Sequence, residues 1–493
     1  MTWRGRAFLL LAVSLAAAGC ASVPREAGIG EARSLVSSRE ELPVRWNQGT
    51  AEDEEVSRKL DELLQSELSV EGAVQVALLA NPSLQATYEE LGVSQANLVQ
   101  AGLLRNPVLF STVRFPDRPP SGLSLKFEAA LDFLDLLLLP ARKRLAEDEF
   151  ERAKLRVADR VLGMAAETRR AYYEALGTHQ AASVRRLIAE AAGASLELAR
   201  RIHAAGNLSD LGLAREEALH DQALVALAKS EAMLREKREH LNRLMGAWGE
   251  RTALRLPAGL PDLPAGEVPL ERLESIAVAN RYDLAAARKE LDVAARTLGI
   301  TREWRWLLGA EIGATAERDT DGQWVAGPSL SLELPLFDQR QARIARDESL
   351  LRKKIAKVTA LAIDIRSEVR ELRDRLIHYR RLAEHYRTTV IPLRERIVGL
   401  TEREYNYMLV GAFDLITAKQ QEFDAYQEYI EAVTGYWVAR AELQRAVGGR
   451  LPDVSGEPDK PPPGHDHHPE NSGWNNTEQQ SNGEINTLSP NSA

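Results

Sequence analysis

The sequence predicts a mainly α-helical chain with membrane β-structure: two tandem structural repeats, long coiled-coil helices and four β-strands per chain. Three observations lead there. The chain duplicates itself: Glu71, Ala77, Leu84, Ala86, Glu90, Leu91, Val93 and Leu98 recur 200 positions later as Glu271, Ala277, Leu284, Ala286, Glu290, Leu291, Val293 and Leu298. Gly206 pairs in the same way with Gly411, and Leu241–Gly246 with Leu443–Gly448. Each copy is long and heterogeneous, so it is a duplicated half and not a short solenoid unit. Next, apolar residues from Ile355 fall at alternating steps of three and four through Val358, Ala362, Ile365, Val369, Leu372 and Leu376. That spacing is a coiled-coil seam. Finally, two stretches in each copy alternate with period two, the mark of a strand with unlike faces.

The elements follow in chain order. Arg4 and Arg6 precede an apolar run from Ala7 to Ala18, then Gly19 and Cys20. The run is too short for a membrane helix and has the flanks of a secretory signal. Cys20 is the sole cysteine, so no intramolecular disulfide forms. Its place after Ala17-Ala18-Gly19 resembles a bacterial lipobox, with Ala17 where leucine is usual; the other reading is an ordinary signal peptide. As a lipidated first residue, Cys20 would hold the chain to outer-membrane lipid through several acyl chains. Residues 21–69 show no clear period and read as a periplasmic leader.

Copy one opens with a helix to Ala80, broken at Asn81-Pro82 because proline disfavours helix in the residue before it. Pro82 starts a second helix, to about Leu104. Val108–Phe115 and Leu123–Asp132 are the strands, with the Pro-rich turn 116–122 between them. In copy two the alternating stretches run from Ala310 to Glu317 and from Ser329 to Leu336. Their aliphatic faces suit lipid, and the acids Glu128, Asp132, Glu311, Glu317 and Glu333 suit a water-filled lumen. The same alternation also describes a soluble sheet with one solvated face. Trp304, Trp306 and Trp324 near the strand ends favour the membrane reading. Long helices follow, from Ala141 to Ala205 and from Gln339 to Leu409; the second, with roughly 70 residues, reaches about 100 Å at 1.5 Å per residue. Each turns at a glycine and returns, from Ser209 to Met245 and from Phe413 to Val447.

The chain divides into 1–19 (signal peptide), 20–69 (lipid-anchored leader), 70–250 (first repeat), 251–269 (Pro-rich linker), 270–452 (second repeat) and 453–493 (tail). The tail has too few apolar groups to offset its ordering entropy and reads as disordered. It carries His465, His467 and His468, imidazoles able to bind Cu(II), Ni(II) or Zn(II). The formal charge of −9 becomes −11 once Arg4 and Arg6 are cleaved away. An acidic chain without a basic stripe excludes nucleic acid as partner. No run of eighteen apolar residues exists, so a membrane crossing would need strands. Four strands cannot close a barrel, and an open edge in lipid leaves backbone groups unsatisfied, so several chains must combine. No phosphate loop, nucleophile elbow or zinc-protease motif occurs. The sequence therefore predicts neither an enzyme nor a cofactor.

These residues resemble the TolC-type outer-membrane efflux channel family. The resemblance covers Val70 to Pro452. It is carried by the strand-to-helix junction Leu334–Asp338 with Arg340 and Ala342, the glycine turns Ala205–Asp210 and Leu409–Asp414, the closing Leu443–Pro452, and the lipobox. It implies a homotrimer with a twelve-stranded β-barrel in the outer membrane, continuous with a periplasmic α-helical barrel. It further implies a passive exit duct for drug or heavy-metal efflux, docked to a periplasmic adaptor and an inner-membrane transporter. Residues Gly206, Asn207, Leu208, Ser209 and Asp210, with Val410, Gly411, Ala412, Phe413 and Asp414, would be the adaptor-docking tips. Asp414 would narrow the tunnel mouth; for Asp210 and Asp414 alike, the other reading is helix capping. A type I protein secretion channel and a lipid-anchored periplasmic coiled-coil spacer without a pore are the alternatives.

Overall fold

The computed structural model describes residues 22–451, apart from 25, 107, 116, 118–121, 268, 307–309, 332 and 334–335. Two short helices lead: α1 (Ile29–Ser37) and α2 (Ala51–Gln65). Copy one comprises α3 (Val70–Ala80), α4 (Pro82–Ala101), β1 (Val108–Arg114), β2 (Ser124–Asp132), α5 (Phe133–Ala204) and α6 (Asp210–Met245). Copy two comprises α7 (Leu273–Asn280), α8 (Tyr282–Glu303), β3 (Glu311–Arg318), β4 (Trp324–Ser331), α9 (Gln341–His385), α10 (Ile391–Asn406) and α11 (Ala412–Ala446). The duplication predicted from sequence is thus a duplication of structure.

The break between α3 and α4 is held by Asn81. Its Oδ1 accepts from the N–H groups of Ser83 (2.8 Å) and Leu84 (3.2 Å), while its Nδ2 donates to the Leu244 carbonyl at the end of α6 (2.7 Å). Gly246 ends α6 in the left-handed region, at φ 65°, and its Cα faces the break so closely that a Cβ would lie 2.9 Å from the Ala80 carbonyl oxygen. Gly448 repeats this beyond α11 at φ 85°, where a Cβ would lie 3.0 Å from the Asn280 carbonyl carbon. Each return helix therefore ends against the helix break of its own copy, and only glycine fits there.

The four strands form one antiparallel sheet in the order β1-β2-β3-β4. The helices stand in the same sequence. α5 packs against α4, α6, α8 and α11, and α9 against α8 and α11. One margin of this wall is made by β1, α4 and α6, the other by β4, α9 and α10. Two cores hold it together. One gathers α1–α3 on α5 around Leu78, Leu84, Tyr88 and Met164; the other joins α7, α9 and α11 around Leu284, Ile365, Leu376 and Tyr436.

The structure departs from the sequence-based expectations in four places. The leader is not periodless: α1 and α2 are helical, and Glu40 binds both Arg169 of copy one and Gln444 of copy two (3.2 Å to the latter). α5 starts at Phe133, running through Pro140, because the Asp132 carboxylate caps it by accepting from the Asp135 N–H at 3.2 Å. β4 lies earlier than expected, since it pairs with β3 from Arg318↔Trp324 to Glu311↔Ser331. Gly327 and Pro328 hide its alternation, and proline is tolerated because β4 is an outer strand. The fourth departure is a π-helical turn, Tyr386–Val390, between α9 and α10. Pro392 has no N–H for the Thr388 carbonyl, and the helix widens just before it.

Candidate functional site

The site is the sheet and the two helical tips. Paired residues of an antiparallel sheet point the same way, so the register sorts the side chains. Phe110, Glu128, Thr315 and Gly327 form one row across the sheet; Lys126 and Glu317 pair in the next, and Asp132 and Glu311 at the end. The opposite face holds Leu109, Val113, Leu125, Phe127, Ala129, Ile312, Ala314, Ala316, Trp324, Ala326 and Leu330. One face bears the acids, together with Lys126, Arg114, Thr112 and Thr315 and the apolar Val108, Phe110 and Val325; the other is aliphatic and aromatic apart from Ser111 and Arg318. Leu109, Phe127, Ile312, Trp324 and Leu330 of the apolar face are exposed in the single chain. Exposed aliphatic strands of this kind need a covering.

The register brings Glu128, Asp132, Glu311 and Glu317 onto one face, as the sequence predicts, but their environments differ. Lys126 lies 3.3 Å from Glu128 and directly across from Glu317. Asp132 caps α5 and lies 3.9 Å from Arg105, which in turn pairs with Asp135 at 2.9 Å. Glu333 follows β4 and lies 3.7 Å from Arg340. Glu311 forms no ion pair among the described residues.

The first tip turns at Gly206, whose φ of 78° is left-handed. Ser209 caps α6, its Oγ accepting from the Gly212 N–H at 3.1 Å. Asp210 is therefore the first helical residue instead of the cap, and its carboxylate lies 2.8 Å from Nε2 of His203. Leu208 folds back over Gly212, where a Cβ would come within 2.5 Å of its Cδ1. Asn207 donates its N–H to the Ile202 carbonyl at 3.0 Å and closes the turn. At the second tip Asp414 accepts from the Gly411 N–H at 2.9 Å, while its own N–H donates to the Gly411 carbonyl at 3.1 Å. Its carboxylate thus secures the start of α11. Val410, Ala412 and Phe413 complete that turn.

Sequence reasoning missed the residues just before it. Tyr407, Met408 and Leu409 are exposed, Met408 to 93 % and in the left-handed region at φ 59°. A non-glycine residue held there, beside large apolar side chains in water, sets this tip apart from an ordinary polar turn. The paired Tyr405 and Tyr407 beside Gly411 were the available signal. Cys20 and the tail residues His465, His467 and His468 lie outside the described residues, as do Leu334 and Pro335. No group of three metal-ligating side chains occurs among the described residues, and no helix there is long and apolar enough to cross a membrane.

No protein-family model matches the chain. It is 23% identical over 392 residues to the cobalt-zinc-cadmium resistance protein CzcC of Cupriavidus metallidurans, covering 77% of this chain and 90% of that protein. Among solved structures, the outer-membrane protein VceC of Vibrio cholerae superposes with a TM-score of 0.63 at 16% identity, over 77% of this chain and 96% of VceC. The open outer-membrane channel MtrE of Neisseria gonorrhoeae gives a TM-score of 0.61 at 18% identity, over 78% and 89% of the two chains. The expected resemblance is borne out, and the chain has the fold of the TolC-type outer-membrane efflux channels.

Proposed function

We propose that three copies of this chain form a passive exit duct through the outer membrane of a Gram-negative bacterium, anchored by lipid on Cys20 and extending into the periplasm. The observation that carries this reading is the sheet. It has one lipid-compatible face, one acid-bearing face, and outer strands β1 and β4 that each keep an unpaired edge. An edge in lipid costs several kcal/mol for each unsatisfied backbone group. β1 of one copy beside β4 of the next satisfies both edges, and such a head-to-tail contact closes into a ring. Three copies supply twelve strands, and the helical wall below them closes along the same margins.

Mechanistically the duct breaks no bonds. Its work is to hold a hydrated path across lipid and to pass cargo delivered from below. Energy comes from an inner-membrane transporter, joined through a periplasmic adaptor docked at Gly206–Asp210 and Val410–Asp414. Selectivity in the barrel comes from lumen charge, as in other pores. Glu128, Glu311 and Glu317 outnumber Lys126 and Arg114 on the polar face and favour cations. A cation cargo agrees with the metal-resistance role in the name of CzcC. His465, His467 and His468 add imidazole ligands suited to the same ions.

The test is direct. Purified mature protein in detergent should run as a heat-modifiable trimer and produce discrete conductance steps in a planar bilayer. A protein that stays monomeric and soluble without detergent after removal of acylated Cys20 would instead be the pore-free spacer. Cysteines introduced at Leu208 and Ala412 should cross-link to the adaptor hairpin.

A further inference from the structure

The duplication shows how one copy of the chain meets the next. α4 and α8 are equivalent elements 200 positions apart. α5 and α9 are equivalent 201 positions apart: Met164, Thr168, Ala171 and Ala175 are covered in α5, as Ile365, Val369, Leu372 and Leu376 are in α9. Inside the chain α8 stands between α5 and α9. Its Glu290 accepts from Lys354 of α9 and lies 3.3 Å from Arg152 of α5. Val293, one turn further on, is half-buried.

α4 lacks the neighbour that α8 has. Glu90, the equivalent of Glu290, is exposed and forms no ion pair among the described residues, and Val93, the equivalent of Val293, is 62 % exposed. α9 shows the complementary deficit. Lys353, the equivalent of Arg152, is exposed and forms no ion pair among the described residues, and Ile363, the equivalent of buried Leu162, is 59 % exposed. Each margin therefore displays residues whose repeat mates are covered, while Glu89 beside them accepts from Trp46 Nε1 at 3.0 Å.

We propose that α4 of one protomer packs on α9 of the next in the register that α8 makes with α5, so that Glu90 pairs with Lys353 of the neighbouring protomer. The occupant of each margin is a second copy, and the inference rests on the trimeric reading above. Charge supports the register. Arg152–Glu290 translates into Lys353–Glu90 with both signs kept. The other internal pairs in that register, Lys289–Asp148 at 3.6 Å and Arg296–Asp148, translate into Glu89 and Ala96 opposite Ser349. No like charges meet, and Glu90–Lys353 is the one ion pair carried across. Val93 lies one turn from Glu90 and Ile363 about 15 Å along α9 from Lys353, so apolar contacts flank the pair while its charge selects against a slipped register.

The experiment combines cross-linking with charge exchange on full-length protein extracted in detergent. The double variant Glu90→Cys with Lys353→Cys, treated with a short bis-maleimide, should give covalent dimers and trimers. Either single variant, which retains Cys20, should give none. Glu90→Lys should lower the temperature at which the trimer dissociates, and adding Lys353→Glu should restore it. Light scattering of the unmodified protein separates the two levels. A trimer that neither cross-links at these positions nor recovers on charge exchange overturns the register and leaves the duct standing. A mass other than three chains overturns both.

Discussion

Gly177 of α5 and Thr434 of α11 meet where the two repeats touch: a Cβ at Gly177 would lie 2.0 Å from Thr434 Oγ1 and 3.0 Å from its Cβ. Rotating the threonine relieves the first contact and leaves the second, so the helices themselves would have to part. Overpacking of this kind costs about 1–3 kcal/mol. Gly177→Leu should therefore lower the thermal midpoint followed by circular dichroism in detergent. Gly177→Ala with Thr434→Gly, which leaves no Cβ opposite the new one, should recover most of it. Equal midpoints for Gly177→Leu and the unmodified protein would show that α5 and α11 do not approach this closely.

Asp53 gives a pH-dependent prediction. It accepts from the Thr50 N–H (2.8 Å), the Gln48 N–H (3.1 Å) and Arg45 Nε (2.7 Å), securing the start of α2. Burial works to raise its pKa, but these hydrogen bonds together outweigh it and hold the carboxyl well below the usual carboxylate range. A depressed folded-state pKa contributes stability fully above the unfolded value and loses it as pH falls through the folded one. Asp53→Ala should cost about 1 kcal/mol at neutral pH, the usual worth of a helix cap. The difference between variant and parent, measured by thermal unfolding, should shrink in strong acid. A constant difference from neutrality down to strong acid would mean the carboxylate is not the acceptor.

Much of this architecture was legible in the sequence because repetition and period are local signals. The 200-residue echo from Glu71 to Leu298 gave the two copies, and period two at Leu125, Phe127 and Ala129 gave the apolar sheet face. What escaped depends on contacts between distant residues. α1 and its following loop are fixed by Tyr282, whose hydroxyl donates to the Leu35 carbonyl at 2.7 Å across 247 positions. Pro140 reads as a helix boundary, yet α5 continues through it because capping by Asp132 and the Arg142–Asp135 pair (2.8 Å) hold the first turns. At the tips, glycine marked the turns, whereas the outward display of Tyr407, Met408 and Leu409 required the fold.

The tips predict an asymmetry between two aspartates. Asp414 secures α11 through the Gly411 N–H, whereas α6 is already capped by Ser209 and the Asp210 carboxylate, among the described residues, bonds His203 alone. Asp414→Ala should loosen the second tip by about 1 kcal/mol and speed its cleavage in limited proteolysis. Asp210→Ala should leave the first tip nearly unchanged, and Ser209→Ala should loosen it. Asp414→Asn keeps an acceptor and removes the charge. If it cleaves at the parental rate and conducts more readily, the charge narrows the mouth; parental conductance would confine Asp414 to capping.

The acids of the sheet should divide by environment as well. Glu128, Glu311 and Glu317 share the polar face, where Lys126 and Arg114 partly offset them. Replacing the three by glutamine in every subunit should reduce cation preference, read as a shift of the reversal potential under a salt gradient. Lys126→Gln should shift it the other way. Asp132 belongs to a different group, since its carboxylate caps α5 and faces Arg105. Asp132→Asn should therefore change selectivity little, while Asp132→Ala should lower the stability of the strand-to-helix junction by about 1 kcal/mol. A reversal potential unmoved by the triple exchange would place the acid-bearing face away from the conduction path, and the sheet would then be no channel lining.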